Sequence, residues 1–325
     1  MAPEATLNQN DAVINGGGHG TKTSAHAELD NLQQTPFDRL WRGDKEGKVS
    51  LTGIPKFEDK YEEREWIKGH LAAAFRFWGK QGYGIEGTAG HITVRDPVLT
   101  DHYWMNPIGV HYSCIFKSNL VLVGPDGHVS PHGAQLPINT AGYWIHSAIH
   151  KARPDVVAAA HCHSFYGKTW SVFGKPIDIL QQDACVFHDN LSVYDSYGGI
   201  VLASEEGDNI AAALGPTNKT CILRNHGLLT LGNTIDECVY LFALLDRHCK
   251  LQLMAEATSA ARNIPIVPID EEDAKYNAQT VKDPDVLYFS ASLPASRTYF
   301  HAETTLNRSS NPNITYWFRR PTALS

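Results

Sequence analysis

The stretch "PDVVAAAHCHSFYGKTW", residues 154–170, decides where the chain's chemistry lies on its fold. Its apolar run is typical of a buried strand, and alternate side chains of a strand point to opposite faces. His161 and His163 would therefore share one face, while Cys162 would point to the other. Two imidazoles on an interior strand are costly unless they are paired or bind a metal. For this pair alone, a metal clamp and ordinary core packing both stay open, and the thiol is disfavoured.

A second stretch, "RNHGLLTLG" at residues 224–232, carries another histidine between two apolar strand halves. His226 lies at a turn that the neighbouring Gly227 permits. Alone it is typical of a hydrogen-bonded turn residue. Together with the first pair it would complete a three-histidine site that leaves positions for substrate or water, which is the ligand count of a catalytic zinc. Iron(II), cobalt and manganese would accept the same ligands.

Hydrophobic periodicity and capping signals predict amphipathic helices over 57–84, 140–155 and 234–258. Strands and hairpins are predicted at 87–97, 119–130, 156–164, 176–180, 199–204 and 219–232. Helices and strands mix without a strict βαβ rhythm, and several strand pairs are hairpins. The predicted fold class is therefore α/β, with a mostly antiparallel central sheet covered by helices.

The 325 residues, 42% of them hydrophobic, are enough for one large domain. Residues 1–35 are rich in Gly, Asn, Thr and Ala and are predicted to form a flexible arm. The folded domain is expected over 36–262. Prolines recur from 263 to 325, where we expect an irregular C-terminal extension that packs on a neighbouring subunit.

The net charge of −7 and the sequence pI near 6.1 argue against a nucleic acid or an anionic membrane as the main partner. A small-molecule substrate is expected instead. The first 20 residues lack the basic and apolar regions of a secretory signal, and no apolar stretch is long enough to span a bilayer. The six cysteines form no CxxC pair, which favours a cytoplasmic protein with reduced thiols.

Four segments resemble the class II aldolase/adducin family, namely "GHITVRDP", "ARPDVVAAAHCHS", "YGGIVL" and "ILRNHGLLTLG". They occur in the family's order within residues 60–260. The resemblance implies that His161, His163 and His226 bind a divalent metal ion, usually Zn²⁺, with Fe²⁺, Mn²⁺ or Co²⁺ as alternatives. It also implies a three-layer α/β/α fold and a homotetramer with active sites between adjacent subunits.

The sequence also departs from the family. Sugar-phosphate aldolases carry a catalytic glutamate at the start of the helix before the histidine strand, and here an ungapped count reaches Gly142. No carboxylate occurs from 132 to 154. The family's phosphate-binding segments are not recognisable either, so an unphosphorylated substrate is expected. His146 and His150 on this helix are expected to pack or to cap.

These observations favour a divalent-metal-dependent lyase, of aldolase or decarboxylase type, that acts on a small oxo or hydroxy acid or carbonyl compound through a metal-stabilised enolate. The candidate proton-transfer residues replacing the glutamate are Asp183, His188 and Tyr194. The candidate substrate-binding residues are His91, Gln182 and Gly142. Two alternatives stay open: a non-haem iron oxygenase that uses the same three histidines, and a non-catalytic adducin-like scaffold with a structural metal.

Overall fold

The computed structural model describes residues 34–85, 87–199 and 204–291, and the fold belongs to the unit that begins at Pro36. The expected arm lies outside the described residues except for its last two. The α-helices are α1 (Pro36–Arg39), α2 (Lys60–Gln81), α3 (Thr140–Ala152), α4 (Phe165–Ser171), α5 (Ser204–Leu214), α6 (Ile235–Arg262) and α7 (Glu271–Val281). The strands are β1 (His91–Arg95), β2 (Tyr103–Met105), β3 (Val121–Val123), β4 (Ala158–Cys162), β5 (Leu191–Tyr194), β6 (Thr220–Leu223) and β7 (Gly227–Gly232). No helix in this part of the chain is both long and apolar enough to cross a membrane.

The seven strands form one sheet in the order β3-β2-β1-β4-β7-β6-β5. Five of the six pairings are antiparallel, and β5 with β6 is parallel. The α/β class with a mostly antiparallel sheet is therefore confirmed, with the correction that the sheet is mixed. The parallel pair arises because α5 connects β5 to β6 as a crossover helix.

Helices cover both faces of the sheet. The core against α2 and α6 includes Ala158, Ala160 and Cys162 of β4. The core against α3 and α5 includes Ala159, between them in sequence. This alternation follows from the pleat of the strand. It places the Cys162 side chain on the α2 and α6 side, so the predicted separation of the thiol from its neighbouring histidines is confirmed.

Local signals fix the ends of the two long helices. The Asp59 side chain accepts a hydrogen bond from the backbone N–H of Tyr61 at the start of α2, and Gly82 ends that helix with φ 77°. Thr234 caps α6 in the predicted manner, by accepting from the backbone N–H of Glu237. Leu71, Phe75 and Trp78 of α2 lie fully buried in the core, together with Phe242 of α6.

Some predicted elements differ in the structure. Residues 176–180 are not a strand, although their alternating pattern resembles one. The return half of the hairpin at 119–130 is a single bridge between Val123 and Val129. The C-terminal extension is not irregular throughout, because α7 and a helical segment at 284–291 lie within it. The strand expected at 199–204 falls mostly outside the described residues.

Candidate metal centre

Three histidines from two separate segments meet at one end of β4. His161 lies in β4, His163 follows it directly, and His226 lies in the turn between β6 and β7. Their candidate ligand nitrogens all lie within 4.8 Å of one another. The sequence-predicted metal ligands are thus brought together, and they are the set that the described residues offer for an ion.

Sheet pairing explains this convergence. In the antiparallel pair of β4 with β7, Cys162 lies opposite Leu228, so the turn before β7 reaches the residues after β4. Asn225 in that turn has φ 57°, a left-handed conformation that Asn tolerates better than most residues. A Cβ atom on Gly227 would lie 2.8 Å from the carbonyl oxygen of Cys162. Only glycine lets the two backbones approach so closely.

One of the candidate ligands, His161, has a ring orientation fixed by a hydrogen bond. The Nδ1 atom of His161 lies 2.9 Å from the carbonyl oxygen of Leu228, so Nδ1–H donates there and Nε2 is left for a metal. Burial lowers the pKa of His161 well below its usual value, and burial with the neighbouring His163 lowers the pKa of His226 to about 4. Neutral imidazole is the form that coordinates metals. The three residues therefore fit a divalent ion of the zinc or iron(II) class.

The three histidines line a cavity of about 1030 Å³. Lys168 and His91 also line it, and so do the apolar side chains of Ile108, Ile145 and Val172. Among the described residues, no aspartate or glutamate lines this cavity. Its apolar wall favours a ligand with a carbon skeleton.

The space in which the family's glutamate side chain would lie, beside position 142 of α3, is filled by His91 of β1. A Cβ atom at Gly142 would lie 2.1 Å from Cδ2 of His91, which is only 4% exposed. The His91 ring thus occupies the space into which a larger side chain at 142 would extend. Register places His91 directly opposite His161 across the β1–β4 pair, with ring centroids 5.3 Å apart.

Behind His91 runs a buried histidine chain, which we define as His91, His146, Thr93 and His150. His91 Nδ1 lies 3.2 Å from His146 Nε2, and His146 Nδ1 lies 2.7 Å from the Thr93 hydroxyl oxygen. The same hydroxyl lies 2.9 Å from His150 Nε2. The sequence analysis missed this chain, although His91 and Thr93 share a strand face and His146 and His150 share a helix face.

Burial keeps the chain neutral. The pKa of His146 and that of His150 are each lowered to about 3, because both rings are removed from water and each lies near another basic group. The pKa of His91 is lowered well below its usual value by burial and by His146. Uncharged imidazoles carry one N–H each, so the chain can be treated as a set of directional hydrogen bonds.

The structure does not bring the other candidate residues to this cavity. None of Asp183, His188, Tyr194 or Gln182 lines it. The His188 ring instead contacts Glu271 of α7 at 2.8 Å, and the Tyr194 hydroxyl donates to Glu206 of α5. Gln182 and Asp183 are exposed in a 3₁₀ helix. They follow residues 176–180, which do not form the predicted strand.

Comparisons with known proteins agree with the geometry. The family described as "Class II Aldolase and Adducin N-terminal domain" matches residues 69–253. The chain is 41% identical over 211 residues to the 4-hydroxy-3-prenylphenylpyruvate oxygenase/4-hydroxy-3-prenylbenzoate synthase of Streptomyces roseochromogenus subsp. oscitans, covering 65% of this chain and 76% of the relative. It is 35% identical over 255 residues to Decarboxylase NovR of Streptomyces niveus, covering 74% and 94%.

A solved structure has the same fold. The L-fuculose 1-phosphate aldolase from Glaciozyma antarctica PI12 superposes with a TM-score of 0.69 at 38% identity, covering 76% of this chain and 94% of that one. Residues 69–253, which the family model matches, contain all seven strands of the sheet and the three converging histidines. The chain belongs to the class II aldolase/adducin family.

Proposed function

We propose that the protein is a divalent-metal-dependent lyase that breaks or forms a carbon–carbon bond in a small, unphosphorylated oxo or hydroxy acid or related carbonyl compound. The observation that carries this proposal is the convergence of His161, His163 and His226 on a cavity without carboxylates among its described lining residues. A decarboxylase and an aldolase among the similar proteins support the same reaction class.

The residues that line the cavity would have separate roles. The three histidines would hold the ion, which supplies Lewis-acid stabilisation of negative charge on substrate oxygens. Lys168 and the neutral imidazoles would favour an anionic substrate over a neutral one. Ile108, Ile145 and Val172 would exclude water from its carbon skeleton.

Within this class, the lining favours decarboxylation. An aldol cleavage needs a group that removes a proton from the substrate hydroxyl, and the described lining offers no carboxylate for this task. Loss of CO₂ needs no such base. In a 3-oxo acid, the bond between C1 and C2 breaks and C1 leaves as CO₂. The electron pair of that bond forms the C2–C3 double bond, and the C3 carbonyl oxygen becomes negatively charged. A proton from water then adds to C2 and restores the carbonyl group.

We include zinc as the ion, a homotetramer and a cytoplasmic location in the proposal. Three nitrogen ligands are a common catalytic zinc set. All six cysteines are free and five of them are buried, which suits a reducing compartment. A second candidate function is a non-haem iron oxygenase, which the similarity to a relative named as an oxygenase supports.

Metal analysis of the purified protein tests the proposal. We expect about one divalent ion per chain, and its loss in His161→Ala and in His163→Ala, because each variant removes one of three ligands. Cys162→Ala is the matched control, since that side chain lies between the two histidines in sequence but points into the opposite core. It should keep the ion.

Two results would count against the proposed lyase. If the purified protein contains no stoichiometric divalent ion, both enzyme functions fail and the non-catalytic adducin-like scaffold is the function that remains. Bound iron together with oxygen uptake during turnover, measured with an oxygen electrode, would assign the oxygenase activity instead.

A further inference from the structure

The direction of the hydrogen bonds in the buried histidine chain can be worked out from its far end. His91, His146 and His150 are 4%, 1% and 0% exposed, so each ring is cut off from water except at the cavity. Each neutral ring has one N–H donor and one bare nitrogen acceptor. The Thr93 hydroxyl has one O–H donor and could accept from both rings, but its own buried O–H would then have no acceptor in the described part of the chain. It therefore donates to one ring and accepts from the other. All the bonds in the chain must therefore point the same way.

His150 decides which way. Its Nδ1 atom is buried and has no hydrogen-bond partner. If the bonds ran from His91 toward His150, this nitrogen would carry a buried N–H without an acceptor, an arrangement that is rare in proteins. If they run from His150 toward His91, the atom is a bare acceptor, which costs less. His150 Nε2–H then donates to Thr93, and the hydroxyl donates to His146 Nδ1.

This direction of the hydrogen bonds fixes the tautomer of His91, the ring of the chain that lines the cavity. His146 Nε2–H donates to His91 Nδ1, so the proton of the His91 ring must lie on Nε2. That atom makes no hydrogen bond within the described part of the chain, and His91 lines the cavity beside the three metal-binding candidates. A Cβ atom at Gly142 would lie 2.5 Å from Nε2, so glycine at 142 is what leaves room for the ring.

We propose that His91 is a catalytic hydrogen-bond donor whose Nε2–H group, fixed by the buried histidine chain, binds the substrate oxygen on which negative charge develops. A preorganised donor in a site shielded from water stabilises such charge without having to reorient. His146, Thr93 and His150 are positioning residues that set the tautomer and the ring orientation. The inference rests on the proposed function, because it needs an oxyanion held beside the three histidines.

Oxalate binding to the zinc-loaded protein tests the donor. Oxalate is a planar dianion that chelates divalent metals through two oxygens, so it resembles a charged substrate at the ion. We expect His91→Phe to keep its zinc but to bind oxalate about tenfold more weakly or worse, because a hydrogen bond to a charged group is lost. His91→Gln keeps an N–H donor and should stay within about threefold of wild type.

The positioning residues need a separate comparison. His146→Phe leaves His91 Nδ1 without its donor and should weaken oxalate binding by several-fold, and His146→Gln, which can donate from its amide, should restore most of it. Nitrogen-15 chemical shifts of labelled histidine should show His91 with its proton on Nε2, in a signal that disappears in His91→Phe. A proton on Nδ1 would overturn the inference.

The outcomes separate the two proposals. If wild type binds zinc and oxalate and His91→Phe binds oxalate equally well, His91 is not the donor, while the metal site stands. If wild type binds zinc but not oxalate, the proposed oxyanion site beside the ion is wrong, and the metal site stands. If wild type takes up no zinc, the proposed function fails and this inference fails with it.

Discussion

Gly142 and His91 share one space, so the identity of each constrains the other. Alanine at 142 would place Cβ 2.1 Å from His91 Cδ2, and the ring cannot move away easily because it is buried and bonded to His146. We expect Gly142→Ala to lower the free energy of unfolding by about 1–3 kcal/mol, the usual cost of overpacking, although alanine favours a helix. Urea denaturation measures this change.

The control is a helical glycine in open space. A Cβ atom at Gly69 in α2 would meet no atom within 4 Å, so Gly69→Ala should stabilise the protein by up to about 1 kcal/mol. Adding His91→Ala to Gly142→Ala should recover much of the loss, as expected of two residues in contact. Additive effects in this double-mutant cycle would contradict the shared space.

The same pair shows how far residue patterns alone could go. The convergence of His161, His163 and His226 could be predicted because strand alternation and a glycine turn suggested it and the family resemblance implied it. The missing glutamate at 142 was visible in the sequence, but the ring that fills its place was not, because His91 is 51 positions away. The β1–β4 register places His91 opposite His161, and the packing of α3 on the sheet brings Gly142 against the His91 ring.

Among the elements, α3 is followed directly by Arg153, which joins the end of the helix to a distant loop. The Arg153 guanidinium donates Nη1–H to the carbonyl oxygens of Gly215 and Asn218 and pairs in a fork with Asp155. We expect Arg153→Lys to lower the free energy of unfolding by about 1–3 kcal/mol, because an ammonium cannot reproduce the fork and leaves carbonyl groups short of donors. Chemical denaturation of the purified variant checks this.

Asp155 provides the comparison for that variant. Its side chain is 56% exposed, so its ion pair with Arg153 is screened by water. Asp155→Asn should therefore cost less than about 1 kcal/mol. An Asp155→Asn variant as damaged as Arg153→Lys would mean that the ion pair, and not the bonds to the loop carbonyls, holds the end of α3.

Elements with strong end signals were predicted well, and those without were not. Gly82 and Thr234 mark helix ends, and the helices predicted over 57–84 and 234–258 are present as α2 and α6. Residues 176–180 have the alternation of a strand, yet they take none of the sheet's pairings, and the two edges of the sheet are β3 and β5. Alternation shows that a segment can form a strand, while the available partners decide whether it does.

Across the whole described fold, the two faces of the sheet differ in chemistry. The α2 and α6 side is a large apolar core that contains the side chains of Trp78, Phe75 and Phe242. The α3 side carries the buried histidine chain and His161 on the alternate positions of β1 and β4. Four buried histidines, His161 and the three of the chain, thus lie in one layer, and this layer should contribute strongly to the protein's response to acid.

The metal-free protein should therefore lose stability as the pH falls below about 6.5, the usual pKa of histidine in an unfolded chain. In the folded state burial lowers the pKa of His146 and of His150 to about 3, so between pH 6 and 4 the unfolded chain binds protons that the folded chain cannot. Stability is then full above pH 6.5 and falls by up to about 1.4 kcal/mol per pH unit for each such histidine. Glu237, whose pKa burial raises, acts in the opposite direction.

A variant isolates this contribution from that of other groups. The His150 ring stacks on Tyr103 with centroids 4.5 Å apart, so His150→Phe keeps the stacking and removes the titrating group. Urea denaturation of both chelator-treated proteins, at one concentration and at pH 8, 6 and 4.5, gives the two pH dependences. The variant should start less stable, because Thr93 loses a partner, yet its stability should fall less steeply with acid. Parallel curves for the two proteins would show that His150 is protonated alike in the folded and unfolded states, against the burial that the fold imposes on it.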